Sequence, residues 1–148
     1  MANNVKILSE NRRARFDYEI LETLTAGVEL SGQEAKSAKA GQFALSGSRV
    51  IIRGGEAFLV GATISPYQVK NAPEGYEADR TRRLLLKKEE IGALNKALST
   101  KGNAVIPLSC IAPRGLIKLN LAIARGRKAA DKREYLKGKA VRREMREQ

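Results

Sequence analysis

Residues 48–64 read SRVIIRGGEAFLVGATI. Val50, Ile51 and Ile52 stand on one side of Gly54-Gly55, and Ala57, Phe58, Leu59 and Val60 on the other. A two-glycine connection takes positive φ at both positions without a side-chain clash, and that geometry matches the twist of paired strands. The stretch therefore predicts a β-hairpin and points to a mainly β chain.

Toward the C-terminus, residues 65–82 (SPYQVKNAPEGYEADRTR) hold two prolines and few large apolar side chains. They predict a long loop, a feature uncommon in compact domains unless it is functional or disordered. RRLLL (82–86) reads as a short strand. In KKEEIGALNKALSTKG (87–102), Ile91, Leu94 and Leu98 recur at three and four, which predicts a helix ended by Gly102. NAVIPLSCIAP and GLIKLNLAIARG predict a second hairpin around Pro113-Arg114-Gly115. In its second strand Leu116, Lys118, Asn120, Ala122 and Ala124 alternate with Ile117, Leu119, Leu121 and Ile123, the pattern of one exposed and one buried face.

Toward the N-terminus, FDYEILETL (16–24) alternates imperfectly and reads as a strand, with Thr25-Ala26-Gly27 as a bend or bulge before Val28 resumes it. Ser31 and Glu34 have the spacing of a capping box, opening a helix from Gly32 to Ala40 that stops at Gly41. Lys36 and Lys39 face outward on that helix. Residues 1–15 form a basic arm ending in NRRAR, and residues 16–125 form the folded body. Residues 126–148 form a basic tail whose sparse apolar positions predict disorder, or a fluctuating helix, without a partner. Six or so strands with two inserted helices suggest a small antiparallel barrel, and the OB type is the commonest such barrel that binds nucleic acid.

Composition narrows the chemistry. The 148 residues include no histidine and a single cysteine, Cys110. Without histidine the usual general base near neutral pH is missing, and Ser-His-Asp or Cys-His sites are excluded within the chain. Nothing marks a paired acid and base, so we expect no enzyme, no cofactor and no metal. Cys110 lies in the apolar run AVIPLSCIAP and reads as a buried thiol. No run approaches the roughly 20 apolar residues of a membrane span. The N-terminus lacks the order of a signal peptide, so a soluble cytoplasmic protein is expected.

Charge is the strongest bulk signal: 28 basic against 16 acidic residues, net +12. Residues 1–15 carry +3 and residues 126–148 carry +5, whereas the 110 residues between carry only +4. Cationic ends that neutralise a polyanion release counterions, which drives association and makes it salt-sensitive. An anionic membrane surface would require an amphipathic basic helix with a large apolar face, and the tail offers only Tyr135, Leu136, Val141 and Met145. Nucleic acid is the favoured partner.

NRRARFDYEI, AGVELSGQEAKSAKAG, GEAFLVGATISPY, RTRRLLLKKEEI and LAIARGRKAADKRE occur in that order. Together they resemble the SsrA-binding protein (small protein B) family, bacterial partners of transfer-messenger RNA, from Asn11 to about Lys137. The resemblance implies an OB-type barrel with a tail unstructured in isolation. It also implies a non-enzymatic, monomeric adaptor in trans-translation. Such an adaptor binds the tRNA-like domain of transfer-messenger RNA and accompanies it, with elongation factor Tu, to stalled ribosomes. Its tail enters the vacant messenger channel near the decoding centre of the small subunit.

Carried over by position, the resemblance assigns RNA contact to Asn11, Arg12, Arg13, Arg15, Tyr18, Glu34, Lys36, Ser37, Arg83, Leu85, Arg127 and Lys128. It assigns ribosome engagement to Asp131, Lys132, Arg133, Lys137, Arg142 and Arg143. Some have a plainer alternative: Tyr18 as a core aromatic, Glu34 as a cap, the arginine run as a solvated arm, Asp131 as an intrahelical partner of a base. Thr25 stands where many members carry Glu, Ala35 replaces a Val, and Ala130 stands where some carry His or an aromatic. A general single-strand binder is a competing reading, but three Phe and four Tyr are too few and scattered for a stacking platform. A ribosomal or ribosome-assembly protein with basic ends is another.

Overall fold

The computed structural model describes residues 5–68, 70 and 72–147, the side chains of residues 141–147 excepted. Among these residues the elements run β1 (Lys6–Glu10), α1 (Ala14–Asp17), β2 (Tyr18–Val28), α2 (Gly32–Lys39), β3 (Phe43–Ala44), β4 (Arg49–Arg53), β5 (Glu56–Val60), β6 (Thr63–Ile64), β7 (Arg82–Leu85), α3 (Lys88–Leu98), β8 (Asn103–Ala112), β9 (Lys118–Gly126) and α4 (Ala129–Glu147). A short 3-10 turn, Pro113–Gly115, joins β8 to β9.

The hairpin on which the reading turned is present. β4 and β5 pair from Arg49↔Val60 to Arg53↔Glu56, and Gly54 and Gly55 sit at φ 59° and 76°. An L-residue with a side chain is strained at either position. The β8–β9 hairpin is the longer one, with Val105, Cys110, Leu119 and Leu121 fully buried.

Seven strands form one antiparallel sheet in the order β1-β8-β9-β2-β7-β5-β4, and β3 pairs separately with β6. The sheet curls until β4 comes against β8, while β1 runs past β3. Among the described residues no ladder joins the β1 and β4 edges, so the mainly β reading stands but no closed barrel is found. The core fills the concave side with small and aliphatic groups, among them Val50, Leu59, Ile64, Leu84, Leu119 and Leu121. Leu94 of α3 and Ala38 of α2 seal it from the ends.

Four expectations are corrected. Residues 6–10 of the arm are an edge strand paired with β8. Phe16 and Asp17 belong to the α1 turn, not to β2. The strand runs straight through Thr25-Ala26-Gly27, and its irregularity lies between Ile20 and Glu22. Ala122 and Ala124 of β9 are buried rather than exposed, because α1 lays Ala14 over them beside Ile106. Methyl side chains let the helix approach closely, so at this end the sheet is covered on both faces.

The tail is helical from Ala129 to Glu147. The long loop is pinned at its C-terminal half: Ile64 N–H donates to the Ala78 carbonyl at 2.8 Å, and the Tyr76 hydroxyl donates to the Ile64 carbonyl at 2.8 Å.

Candidate nucleic-acid interface

The arginines of NRRAR are set out around α1. Asn11 is the bracket that fixes it. Its side-chain amide donates to the Pro107 carbonyl at 2.9 Å and its backbone N–H to the Leu108 carbonyl at 2.8 Å, while its own carbonyl accepts from Ala14 N–H. Asn11 is buried, so its first task is to tie α1 to β8. The chain then turns once, and Arg12 and Arg15 come to one side of the corner.

They line a hollow of about 770 Å³ together with Asn11, Glu10, Tyr135 and Lys139. Its floor is a neutral polar line across three strands. Asn120 donates from Nδ2 to Ser109 Oγ at 2.9 Å and accepts at Oδ1 from the Thr25 hydroxyl at 3.3 Å. Thr25 thus ends a hydrogen-bonded row and brings no charge. Arg12, Arg15 and Lys139 face one carboxylate, Glu10, around the rim. Among the described residues the side chains of Arg12 and Arg15 make no ion pair or hydrogen bond, so their donors are available to a ligand. A cationic rim over a neutral hydrogen-bonding floor suits a polyanion whose backbone is held at the edge.

Arg13 and Tyr18 lie on the other side of α1, in a separate hollow with Ser46, Gly47, Ser48 and Arg49. Arg13 reaches Asp17 at 3.4 Å and lies over the Phe16 ring at 5.1 Å. The tail root locks into the same corner. Arg127 N–H donates to the Asp17 carbonyl at 2.9 Å, and its Nε to the Arg15 carbonyl at 3.2 Å. The Arg127 guanidinium stacks on Tyr135 at 4.7 Å, and Lys132 meets Asp17 at 3.3 Å above Phe16. Burial raises the Asp17 carboxyl, but the hydrogen bonds and charges of Arg13 and Lys132 outweigh it and leave it below its usual range.

The remaining expected residues are elsewhere. Glu34 is an internal anchor in this fold. It is buried, and its carboxylate accepts from Ser31 N–H at 2.9 Å, from Arg80 at 2.5 and 2.9 Å and from Arg82 at 3.0 Å. Burial pushes its pKa up, yet Arg80, the Ser31 amide and Arg82 bring it down to about 2. The capping box is complete, since Glu34 N–H also donates to Ser31 Oγ. Ser37 is buried too, donating to the Ser65 carbonyl. Lys36 stays exposed beside them.

Arg83 and Leu85 are on the outer sheet face. Arg83 pairs with Glu56 at 2.8 Å and Glu29 at 3.4 Å, and Leu85 is 48% exposed over Gly27. Lys128, Asp131, Arg133 and Lys137 are exposed on the tail, and the side chains of Arg142 and Arg143 lie outside the described residues.

Sequence reasoning missed Arg80 and Arg82, hidden in a presumed loop and an apolar strand. It also missed Asn120, although the alternation in β9 had put that residue on the face away from the main core. Cys110 is buried and its thiol is pushed up to about 12, which makes it an inert core group. Among the described residues no cluster of metal-ligating side chains occurs, and no helix is long and apolar enough to cross a membrane.

The chain matches the family model described as SmpB protein over residues 8–148. It is 44% identical to the SsrA-binding protein of Synechococcus sp. (strain JA-3-3Ab) over 142 residues, 96% of this chain and 92% of that one. It is 44% identical to the SsrA-binding protein of Coprothermobacter proteolyticus over 143 residues, 96% and 95% of the two chains. A solved structure described as "tmRNA-SmpB: a journey to the center of the bacterial ribosome" superposes with a TM-score of 0.70 and 41% identity, covering 86% of this chain and 92% of that one.

Proposed function

The chain belongs to the SmpB protein family, and from that premise we propose that it is an RNA-binding adaptor of trans-translation. It binds the tRNA-like domain of transfer-messenger RNA and delivers it to stalled ribosomes in the cytoplasm. It works as a monomer beside elongation factor Tu, without catalysis of its own. One observation carries the reading: Arg12 and Arg15 stand with free donors on the rim of a groove floored by Thr25, Asn120 and Ser109. Phosphates meet the rim, which fixes register, and the floor presents hydroxyl and amide groups to bases or sugars.

The tail takes the second part. Asp131, Lys132, Arg133 and Lys137 project from α4, whose length along the axis is about 28 Å at 1.5 Å per residue for 19 residues. A basic helix of that length suits a channel lined by RNA, which is the role we assign to it in the vacant messenger channel. Lys36, Arg83, Leu85, Arg127 and Lys128 are proposed as peripheral RNA contacts.

The test is a binding competition at physiological salt between transfer-messenger RNA, bulk tRNA and an unrelated RNA of equal length. Transfer-messenger RNA is expected to win by at least tenfold, and equal affinity for all three overturns the specific reading. A double variant, Lys132→Ala with Arg133→Ala, is expected to lose tagging of stalled peptides while keeping affinity for the free RNA. A large loss of that affinity instead would move both residues to the RNA interface.

A further inference from the structure

We propose that the open edge of β2, with the hollow between it and α3, takes an extended basic segment of another protein as an added strand. β2 pairs with β9 from Tyr18 to Gly27, but with β7 only at Gly27 and Val28. From Tyr18 to Ala26 its other edge carries no ladder among the described residues. An edge of that length offers unpaired N–H and C=O groups to a chain that lies beside it.

Next to the edge, α3 leaves a hollow of about 230 Å³ floored by Leu24, Leu94 and Ile123. All three belong to the main core or pack against it, so an aliphatic side chain seated there extends that core. The bulge between Ile20 and Glu22 leaves Leu21 without a partner across the ladder and 43% exposed, one position from the hollow's wall. The hollow adjoins the groove described above across Thr23 and Leu24, but its charged wall is its own.

Charge decides the class of partner. Glu22, Glu89 and Glu90 line the hollow, and no lysine or arginine does. Glu90 is engaged in capping α3, since its carboxylate accepts from Lys87 N–H at 2.9 Å. Glu22 and Glu89 are exposed and make no ion pair or side-chain hydrogen bond among the described residues. In a chain of net +12 these carboxylates stand unanswered. They repel a phosphate backbone and attract lysine and arginine, so this face suits a cationic polypeptide and not RNA. Main-chain bonds to β2 supply affinity, the hollow selects one apolar side chain, and the glutamates set the sign of its neighbours.

The test uses the full chain, followed by amide NMR, and a capped peptide of sequence KVRLKV. Titration is expected to shift the amides of Leu21 to Thr23 on β2 and of Glu89 and Ala93 on α3. Glu22→Gln with Glu89→Gln should weaken the peptide about 5- to 10-fold, and the difference should shrink as salt rises. Copies N-methylated at odd or at even residues keep the charge. The phase that blocks the bonded edge should bind about tenfold more weakly than the other.

If both methylated copies bind like the parent peptide, the attraction is charge alone and strand addition fails. If the peptide at millimolar concentration shifts neither element, the glutamates only guard the edge and the site fails. An oligonucleotide of uridines is the opposing probe, read at Glu89 and Ala93, which do not line the groove. Those amides should stay unmoved, and shifts there as large as the peptide's overturn a protein partner in favour of RNA.

Discussion

The arginines under α2 and those around α1 are alike in type and opposite in condition. Arg82 is fully buried and donates to Glu34 and to the carbonyls of Ala62, Arg80 and Ala78. Arg80 is half-buried, and its donors are likewise taken by Glu34, Glu29 and Thr81. Arg12 and Arg15 stand at the surface with nothing to donate to among the described residues. The difference teaches that the arginines of one chain divide into those whose donors the fold consumes and those whose donors it leaves uncommitted. Glu34 is among the residues that the family resemblance ties to RNA, and in the fold it holds the loop that carries Arg80 and Tyr76 against α2.

The sharpest way to break that comparison is to remove Glu34. Glu34→Ala leaves Arg82 as an uncompensated charge with no exposed surface, a change that costs about 3–5 kcal/mol. Urea unfolding is expected to show that loss. A cost below about 1 kcal/mol would mean that the cluster is as solvated as the α1 set. Glu34→Gln keeps the shape, loses the charge, and should fall between.

Acid reaches the same cluster by another route. The Glu34 pKa of about 2 in the fold lies below its ordinary value of 4.5. A depressed carboxyl adds stability above its unfolded pKa and loses it as pH falls toward the folded one. The expected contribution is about 3 kcal/mol, lost between roughly pH 4.5 and 2. Unfolding free energy measured across that window should fall steeply in the parent and more gently in Glu34→Gln. Parallel curves would remove Glu34 as the source.

The open set should respond in the opposite manner. Arg12→Ala with Arg15→Ala is expected to leave stability within about 0.5 kcal/mol, as exposed unpartnered side chains do. Affinity for transfer-messenger RNA should drop tenfold or more, about 1.4 kcal/mol. Its salt slope should fall by about two units, one for each lost phosphate contact. A stability loss without an affinity loss would exchange the roles of the two regions.

What the sequence made legible was local. Gly54-Gly55 specifies its hairpin because the turn requires positive φ at both residues, and Ser31 with Glu34 specifies its cap because the box closes within four residues. The periodicity of Ile91, Leu94 and Leu98 placed α3, and Leu94 is the buried member. The misses were long-range. Nothing local announces that Arg82, in an otherwise apolar strand, turns inward to meet a carboxylate 48 positions earlier. Ala122 and Ala124 followed an exposed pattern by spacing, and only the approach of α1 from the distant N-terminus buries them. Of the candidate site, the arginine motif was readable, because charge clustering is a sequence property. The groove floor was not, because Thr25, Ser109 and Asn120 meet only after three strands pair.

The junction between body and tail tests the comparison at its weakest point, since Lys132 and Asp17 are neither closed like Glu34 nor free like Arg12. Their side chains are 33% and 30% exposed at 3.3 Å, a pair worth about 0.5 kcal/mol or less once water screens it. Lys132→Ala should therefore leave global unfolding nearly unchanged. Its effect should appear in the first turns of α4, where amide hydrogen exchange is expected to quicken two- to threefold relative to the sheet. The Asp17 pKa is lowered in the fold, so this contribution is present near neutral pH and fades as acid protonates the carboxyl; the exchange difference between parent and variant should shrink with it. The backbone bond from Arg127 N–H to the Asp17 carbonyl does not titrate and should keep the tail root in place throughout. A global loss above 1 kcal/mol in Lys132→Ala would show that the helix belongs to the body. No change in α4 exchange would show that Arg127 and Tyr135 hold it without help.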